Sequence, residues 1–491
     1  MKLCRAGLLL MPFLAVPTVQ SQMPPAAQPP TAIVAATPPM GWNSWDSYGL
    51  TITEDQFRAN VKVLHNALMA SGYNYAVIDE GWFFFNPEAR PKPDTLVYAV
   101  DANGRYVPVP ARFPSATTPG APGPASGTWV QPPNTPAPTL AATIEATSFK
   151  PLADWVHVQG LKFGIHIVRG IPRASVERNL PIAATAFHAA DAADTTDACP
   201  WDPTNWGVKD NAAGQAWYDS LISQYAGWGV DLLKVDCIAA HPYKADEIQM
   251  IRRAIDKTGR PMALSLSPGP TALDNAAEVG RLAQMWRISN DFWDVWTTDP
   301  KRDFPQSLTG QFALAAAWAP FAKPGNWPDA DMLPLGQIGP VPGYGAPRRT
   351  RFTPDGQQTL ITLWAMARSP LILGANLTQL DDPTFKLLTN RDVIAIDQMA
   401  TRSGEVLHSG DIIAWSADLA ANFPDGYTSA LALFNVGEGL VTISASFEVY
   451  GLDDDVYHVQ DVWAGKSLGK LKSIDNLSLE PHTSTLLLLK K

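Results

Sequence analysis

The sequence predicts an α/β fold, namely a (β/α)₈ barrel followed by a small C-terminal antiparallel β-sandwich. Three observations support this prediction. The chain has 491 residues, whereas a single core stops growing at roughly 250–300 residues. Eight short apolar segments each precede a segment with helical spacing, and the pattern changes to alternating short strands near residue 400. Eight buried strands that alternate with helices are typical of a parallel barrel.

The barrel is expected over residues 37–400. Its eight predicted strands are Met40–Trp45, Tyr75–Trp82, Phe163–Val168, Leu232–Asp236, Met262–Ser267, Met285–Asp291, Phe321–Trp327 and Pro370–Ala375. Four helices are predicted from amphipathic spacing, and they are Thr53–Ser71, Ala212–Gly227, Lys244–Lys257 and Thr353–Arg368. In a barrel of this kind the functional residues lie at the carboxyl ends of the strands.

Two regions depart from the barrel pattern. Arg90–Pro138 is crowded with Pro, Gly, Ala and Thr and shows no apolar periodicity. We therefore predict a long loop insertion, at about 90–145, on the catalytic face between the second and third strands. The sandwich is predicted over residues 401–491, with a boundary near Gln398–Gly404. Its strands are Ile412–Ser416, Ser429–Phe434, Val441–Phe447 and Thr483–Leu489.

The N-terminus resembles a secretory signal over residues 1–21. Lys2 and Arg5 precede an apolar run, Gly7–Val16, that is too short to span a bilayer. Residues 22–36 are rich in Pro, Ala and Gln and are predicted to form a flexible leader. The expected location is therefore secreted or periplasmic.

Composition limits the partners. The net charge is −10, and Lys and Arg form no cluster that would neutralise phosphates, so we expect no nucleic-acid or membrane partner. The His residues show no paired ligand spacing, so we expect no metal and no cofactor. Cys4 lies in the signal, which leaves Cys199 and Cys237 in the mature chain. These two either pair in an oxidising compartment or remain buried thiols.

Two strand ends carry carboxylates with a cation on the same face. Lys234 and Asp236 share a face of their strand, and Arg287 and Asp291 share one if their segment stays extended. Asp236 is then either a nucleophile or part of a structural salt bridge, and Asp291 either an acid or a helix cap. A retaining glycosidase needs two carboxyl groups roughly 5–5.5 Å apart, which two strand ends across one barrel mouth can supply.

Six motifs in a fixed order resemble glycoside hydrolase family 27, which includes α-galactosidases and α-N-acetylgalactosaminidases. They are Pro39–Trp45, Ile78–Trp82, Leu233–Asp236, Trp286–Asp291, Gly325–Leu333 and Arg391–Gln398. The resemblance extends over nearly all of Thr37–Lys491, including Leu479–His482 near the end of the sandwich.

The resemblance implies a retaining mechanism in which Asp236 forms a covalent glycosyl-enzyme and Asp291 acts as acid and then base. It also implies that Trp45, Lys234 and Arg287 contact the sugar. The expected activity is the exo-acting release of terminal α-D-galactose from a carbohydrate substrate. β-L-arabinopyranose and α-N-acetylgalactosamine are alternative sugars. A catalytically silent carbohydrate-binding protein is a further alternative, against which the presence of both carboxylates argues.

Four positions depart from the family pattern. The family's Asp-Asp pair is Asp79-Glu80 here, and the extra methylene carries the Glu80 carboxylate about 1.5 Å further toward the sugar's C6 position, which favours the pentose L-arabinopyranose. His166 replaces a sugar-contacting Tyr. Ser267 replaces a Glu near the C2 hydroxyl and leaves room for an N-acetyl group. Cys237 lies one place earlier than the family's disulfide cysteine, and the resemblance implies a bridge to Cys199.

The loop Asp197–Lys209 has no counterpart in the family pattern. Trp201 and Trp206 lie in it, and Arg169 and Arg173 precede it. These four side chains either line a leaving-group subsite or pack within the loop.

Overall fold

The computed structural model describes residues 33–89, 96–117, 139–143, 147–202, 204–299, 301–302, 304–339 and 346–491. The predicted signal, most of the leader and part of the predicted insertion lie outside these ranges. Val34–Lys491 forms one compact unit.

The first part of the chain folds into the predicted barrel. Eight strands form one parallel sheet, in which each strand lies beside its neighbour in the chain and the first strand pairs with the eighth. A parallel bridge between Leu333 and Leu373 joins the segment after the seventh strand to the eighth and closes the ring. The strands are Met40–Asn43, Tyr75–Ile78, Lys162–Val168, Leu232–Asp236, Ala263–Leu266, Met285–Arg287, Trp327–Asp329 and Leu371–Leu373.

Three predicted strand boundaries are wrong by four or more residues. The second strand ends at Ile78 and not at Trp82. The seventh strand begins at Trp327, where the predicted strand Phe321–Trp327 ends, and Ala319–Phe321 is instead a 3₁₀ turn. The observed strand has only three residues and contains Pro328, so the prediction followed the longer apolar run that precedes it in the sequence. The sixth strand ends at Arg287, and the extended backbone assumed up to Asp291 is therefore absent.

Helices cover the outside of the barrel. The longer ones are Glu54–Val63, Lys150–Val158, Ala212–Trp228, Ala245–Thr258, Leu308–Trp318, Pro354–Ala367 and Arg391–Met399. Thr53 and Thr353 cap two of them by accepting hydrogen bonds from backbone amides of the first turn. The predicted helix Thr53–Ser71 is shorter as an α-helix, because the chain continues from Val63 as a π turn, Leu64–Leu68, and a 3₁₀ turn, Met69–Ser71.

The described part of the predicted insertion contains a short strand pair and buried rings. Strand Val97–Val100 pairs in parallel with Thr139–Thr143. The rings of Tyr98, Tyr106 and Phe113 are buried in the main core. Their irregular spacing explains why no periodic pattern showed in the sequence.

The C-terminal part is an antiparallel sandwich, as predicted. A six-stranded sheet contains, in spatial order, Ala400–Ser409, Ile412–Leu419, Ser429–Asn435, Ser484–Lys490, Tyr457–Asp461 and Lys466–Leu471. A second sheet pairs Val441–Ser446 with Ser473–Leu479.

The central strand Ser429–Asn435 of the six-stranded sheet is buried on both faces. Leu431 and Leu433 face the small sheet, in a core that belongs to the sandwich. Ala432 and Phe434 alternate with them and join the main core of the barrel, where the ring of Phe434 lies 5.0 Å from that of Phe312. The sandwich therefore packs directly onto the barrel helices. Of the helices in the described ranges, none is long and apolar enough to cross a membrane.

Candidate active site

A cavity of about 490 Å³ lies where five barrel strands end. Its lining side chains follow the first, second, fourth, fifth and sixth strands, and a loop that follows the third strand adds two more. They are Trp45, Glu80, Pro200, Trp201, Asp236, His241, Pro268, Asn290, Asp291 and Phe304. The two predicted catalytic carboxylates thus face one cavity.

Asp236 is the more enclosed of the two carboxylates, with 15% of its side chain exposed. Its Oδ1 accepts a hydrogen bond from the backbone N–H of Cys237 at 2.7 Å. Its Oδ2 lies 3.6 Å from His166 Nε2 and 3.4 Å from the indole N–H of Trp201. Burial acts to raise the pKa of Asp236, but His166, Lys234 and the Cys237 amide together hold it below its ordinary value. Asp236 is therefore an ionised carboxylate at neutral pH.

Lys234 forms its direct ion pair with Asp79 and not with Asp236. The Lys234 Nζ donates to Asp79 Oδ2 at 2.8 Å, and Asn43 Nδ2 donates to the same oxygen at 2.7 Å. Burial opposes both charges, yet the pair keeps the pKa of Asp79 low and that of Lys234 high. Neither of these two predicted sugar-binding residues lines the cavity, and together they form a buried ion pair beside it.

His166 lies between Asp79 and Asp236 and is almost fully buried. Burial acts to lower its pKa, but the two carboxylates raise it above its ordinary value. Its Nδ1 is buried without a hydrogen-bond partner among the described residues. The side chain does not line the cavity itself, so its clearest contact is with the carboxylate of Asp236.

Asp291 is more open, with 38% of its side chain exposed. Arg287 Nη2 lies 3.2 Å from Asp291 Oδ1 and 2.6 Å from Asp331 Oδ2. Asp331 also accepts a hydrogen bond from the N–H of Phe292, the residue after Asp291. Burial, opposed by Arg287 and reinforced by neighbouring carboxylates, raises the pKa of Asp331 to about 7. Asp331 lies within the fifth family motif but was not predicted as a site residue.

Trp45 and Glu80 line the cavity as predicted, whereas Ser267 does not. Ser267 is buried, its N–H donates to the carbonyl of Val235 and its carbonyl accepts from the N–H of Ile238, while the next residue, Pro268, faces the cavity. The contact of Ser267 with the sugar stays a prediction.

Cys199 and Cys237 form a disulfide, with their Cα atoms 6.0 Å apart, as the resemblance implied. Cys237 adopts a left-handed backbone with φ of 62°, and its carbonyl accepts a 2.6 Å hydrogen bond from Arg169 Nε. Arg169 is in turn paired with Asp197 and Glu247. The segment after Asp236 is therefore held covalently and by a buried ion network.

The four side chains of the unmatched loop region separate into two groups. Trp201 lines the cavity and contacts Asp236. Arg173 lies over the ring of Trp206 at 3.7 Å, and Arg169 is committed to its ion network, so these three serve packing. His241 and Phe304 also line the cavity, but neither lies in a sequence motif that indicated a functional role.

In the described ranges, no group of three or more His, Cys, Asp or Glu side chains is placed to hold a metal ion.

Comparison with known proteins identifies the family. The family model for α-galactosidase A matches residues 210–399, and that for the α-galactosidase C-terminal β-sandwich domain matches residues 409–489. The chain is 39% identical to a crystal structure of a family 27 β-L-arabinopyranosidase from Geobacillus stearothermophilus. That match has a TM-score of 0.80 and covers 93% of this chain and 97% of the other. The chain belongs to glycoside hydrolase family 27.

The chain is also similar to a putative α-N-acetylgalactosaminidase and to an α-galactosidase. A putative α-N-acetylgalactosaminidase from Bacillus halodurans has 36% identity and a TM-score of 0.76, over 94% of this chain and 98% of the other. α-Galactosidase 2 of Arabidopsis thaliana is 25% identical to this chain, over 91% of this chain and 88% of the Arabidopsis protein. The protein is thus a glycoside hydrolase.

Proposed function

We propose that this protein is an exo-acting, retaining glycosidase in which Asp236 is the nucleophile and Asp291 the acid and base. The observation that carries the proposal is the unequal setting of two carboxylates on one cavity. Asp236 is enclosed and kept ionised by His166 and Lys234, as a nucleophile requires. Asp291 is open enough to exchange protons with water.

In the first step, an oxygen of Asp236 attacks the anomeric carbon and the bond to the glycosidic oxygen breaks. The proton of Asp291 passes to that oxygen, and the leaving group departs as an alcohol. In the second step, Asp291 takes a proton from water, whose oxygen attacks the anomeric carbon and releases Asp236. The two inversions retain the anomeric configuration.

We assign β-L-arabinopyranose as the preferred terminal sugar. This sugar is an α-galactose skeleton without the C6 hydroxymethyl group. Glu80 lines the cavity and is one methylene longer than the family's Asp, so its carboxylate occupies space toward C6. Similarity to the Geobacillus β-L-arabinopyranosidase supports the same choice.

α-D-Galactose is the second candidate. The α-galactosidase family models and the curated α-galactosidase relatives favour it, and galactose needs the same Asp79 and Lys234 contacts. Similarity to α-N-acetylgalactosaminidases also supports α-N-acetylgalactosamine, but Ser267, whose small side chain would leave room for the N-acetyl group, is not among the residues that line the cavity.

A panel of aryl glycosides tests the assignment, with α-D-galactopyranoside, β-L-arabinopyranoside and α-N-acetylgalactosaminide compared by kcat/KM. We expect the arabinoside to be the best substrate. In Glu80→Asp the galactoside-to-arabinoside ratio should rise by about tenfold, since relief of one methylene is worth roughly 1–3 kcal/mol. An unchanged ratio removes the steric argument, and a wild type that cleaves the galactoside better than the arabinoside makes α-galactosidase the assignment.

We also propose that the enzyme is secreted or periplasmic. The signal-like residues 1–21 and the disulfide near the nucleophile support this location, because disulfides persist in oxidising compartments. Cell fractionation of the full-length chain, with N-terminal sequencing of the mature form, is the test. Recovery of the uncleaved chain in the cytoplasm would contradict it.

A further inference from the structure

The position of the leaving group follows from the role of Asp291. A general acid must lie within hydrogen-bond reach of the oxygen that it protonates. The leaving group therefore occupies the part of the cavity that adjoins Asp291. Trp45, Glu80 and the buried Asp79–Lys234 pair belong to the region assigned to the sugar.

The walls beside Asp291 are mainly rings. Asn290 precedes Asp291, and its Oδ1 lies 3.1 Å from His241 Nε2, which also lies 3.1 Å from the carbonyl of Gly269. Pro268 and Phe304 complete this part of the lining. Among the described cavity-lining residues none is Lys or Arg, so this region offers ring surfaces to a ligand and no cationic anchor.

Trp201 connects the ring-lined region to the nucleophile. Its indole N–H points to Asp236 Oδ2 at 3.4 Å, and its ring meets that of His241 edge to face, with centroids 6.0 Å apart. The disulfide of Cys199, two residues earlier, ties the loop of Trp201 to the residue after Asp236. A ring fixed in this way loses little conformational entropy when a ligand packs on it.

We propose that Trp201, His241, Pro268 and Phe304 form a leaving-group subsite for a group that presents a flat apolar face, either an aryl ring or the apolar face of a second sugar. Aromatic side chains favour contact with such faces. The cavity of about 490 Å³ falls within the roughly 300–1,000 Å³ of pockets that bury whole small ligands. This subsite rests on the proposed roles of Asp236 and Asp291.

The experiment compares three compounds that share one sugar, the one identified by the aryl panel: the glycosyl fluoride, the p-nitrophenyl glycoside and a disaccharide. Fluoride has no face to bind. Each variant is compared with wild type on the same compound, so intrinsic leaving-group ability cancels. The variants are Trp201→Ala, Trp201→Phe and Phe304→Ala. Phe385→Ala is the control, because Phe385 is similarly exposed but lies on the outer helix Asp382–Leu388.

We expect Trp201→Ala and Phe304→Ala to lower the kcat/KM of the ring-bearing compounds relative to the fluoride by about tenfold, which corresponds to one good ring contact. Trp201→Phe should retain most of the ratio, because it keeps a ring. A fall confined to the aryl glycoside identifies an aryl leaving group, and a fall that includes the disaccharide identifies a sugar.

Equal losses on all three compounds, or no loss on the ring-bearing two, would overturn the subsite. An equal fall of the ratio in Trp201→Phe and Trp201→Ala would do so too. Asp236→Asn separates this failure from that of the proposed function: if that variant is inactive and the ratios are unchanged, only the subsite is wrong.

Discussion

The two sides of the cavity hold their carboxylates differently. On the Asp236 side, the carboxylate contacts the N–H of Cys237, His166 and Trp201, and the next residue is bound by a disulfide and by Arg169. On the Asp291 side, Arg287 contacts the carboxylate at 3.2 Å. The exposed fractions of the two side chains, 15% and 38%, express the same difference.

This difference matches the two chemical roles that we propose for these carboxylates. A nucleophile must keep its charge and stay in place, so enclosure among donors suits Asp236. An acid that later acts as a base must gain and lose a proton and admit water, so an open setting suits Asp291. Substitutions on each side of the cavity test whether the two carboxylates have these roles.

Removal of the charge on the enclosed side should have the largest effect. We expect Asp236→Asn to lower kcat by about 10⁴-fold or more, because no other group can form the covalent intermediate. Sugar binding, measured by calorimetry, and the melting temperature should persist. Hydrolysis at the wild-type rate would break the assignment of the nucleophile.

Removal of the carboxylate on the open side should have an effect that depends on the leaving group. Asp291→Ala should lower the rate by about 10²–10⁴-fold on glycosides with poor leaving groups, which need protonation. Dinitrophenyl glycosides leave without a proton, so their first step should lose far less. Pre-steady-state kinetics of both compounds measures this contrast, and equal losses would contradict an acid role for Asp291.

Loss of His166 should shift only the acid limb of the pH profile, which depends on the pKa of Asp236. His166 helps to hold the pKa of Asp236 low, so activity is retained until the pH falls through that low value. His166→Gln should raise this pKa, and the acid limb of kcat/KM should move to higher pH, with about a tenfold loss at the acid edge. His157→Gln is the control, because His157 contacts Asp231 at 2.8 Å, before the start of the same strand. An unmoved acid limb would contradict the His166 contact.

The smallest effect should come from a substitution in the sandwich, and we expect it to affect only the Asp291 side of the cavity. The ring of His482 stacks on Trp296, five residues after Asp291, with centroids 3.9 Å apart. Because such a stack is worth roughly 0.5–1.5 kcal/mol, His482→Ala should lower kcat by about threefold and leave the acid limb in place. His482→Phe should recover the loss. A moved acid limb would show that the two sides are not independent.

Much of this structure could be predicted from the sequence. Alternation of apolar segments and helices indicated eight strands because strand burial and helix amphipathicity are local patterns. The short seventh strand with Pro328 and the irregularly spaced aromatic residues of the insertion carry no such pattern, so their structure was missed.

The candidate site could likewise be predicted only in part. Asp236 ends a recognisable strand segment and Asp291 follows one, so both could be placed at the mouth of the barrel. The partners of these carboxylates could not, since Lys234 shares a strand face with Asp236 but pairs with Asp79, and Asp331 reaches Phe292 across 39 positions of sequence. Ring closure brings such residues together, and the choice among several possible charge partners depends on distances of a few ångströms. The positions of Asp236 and Asp291 at strand ends thus follow from local sequence patterns, whereas the contacts of these carboxylates depend on the closed barrel.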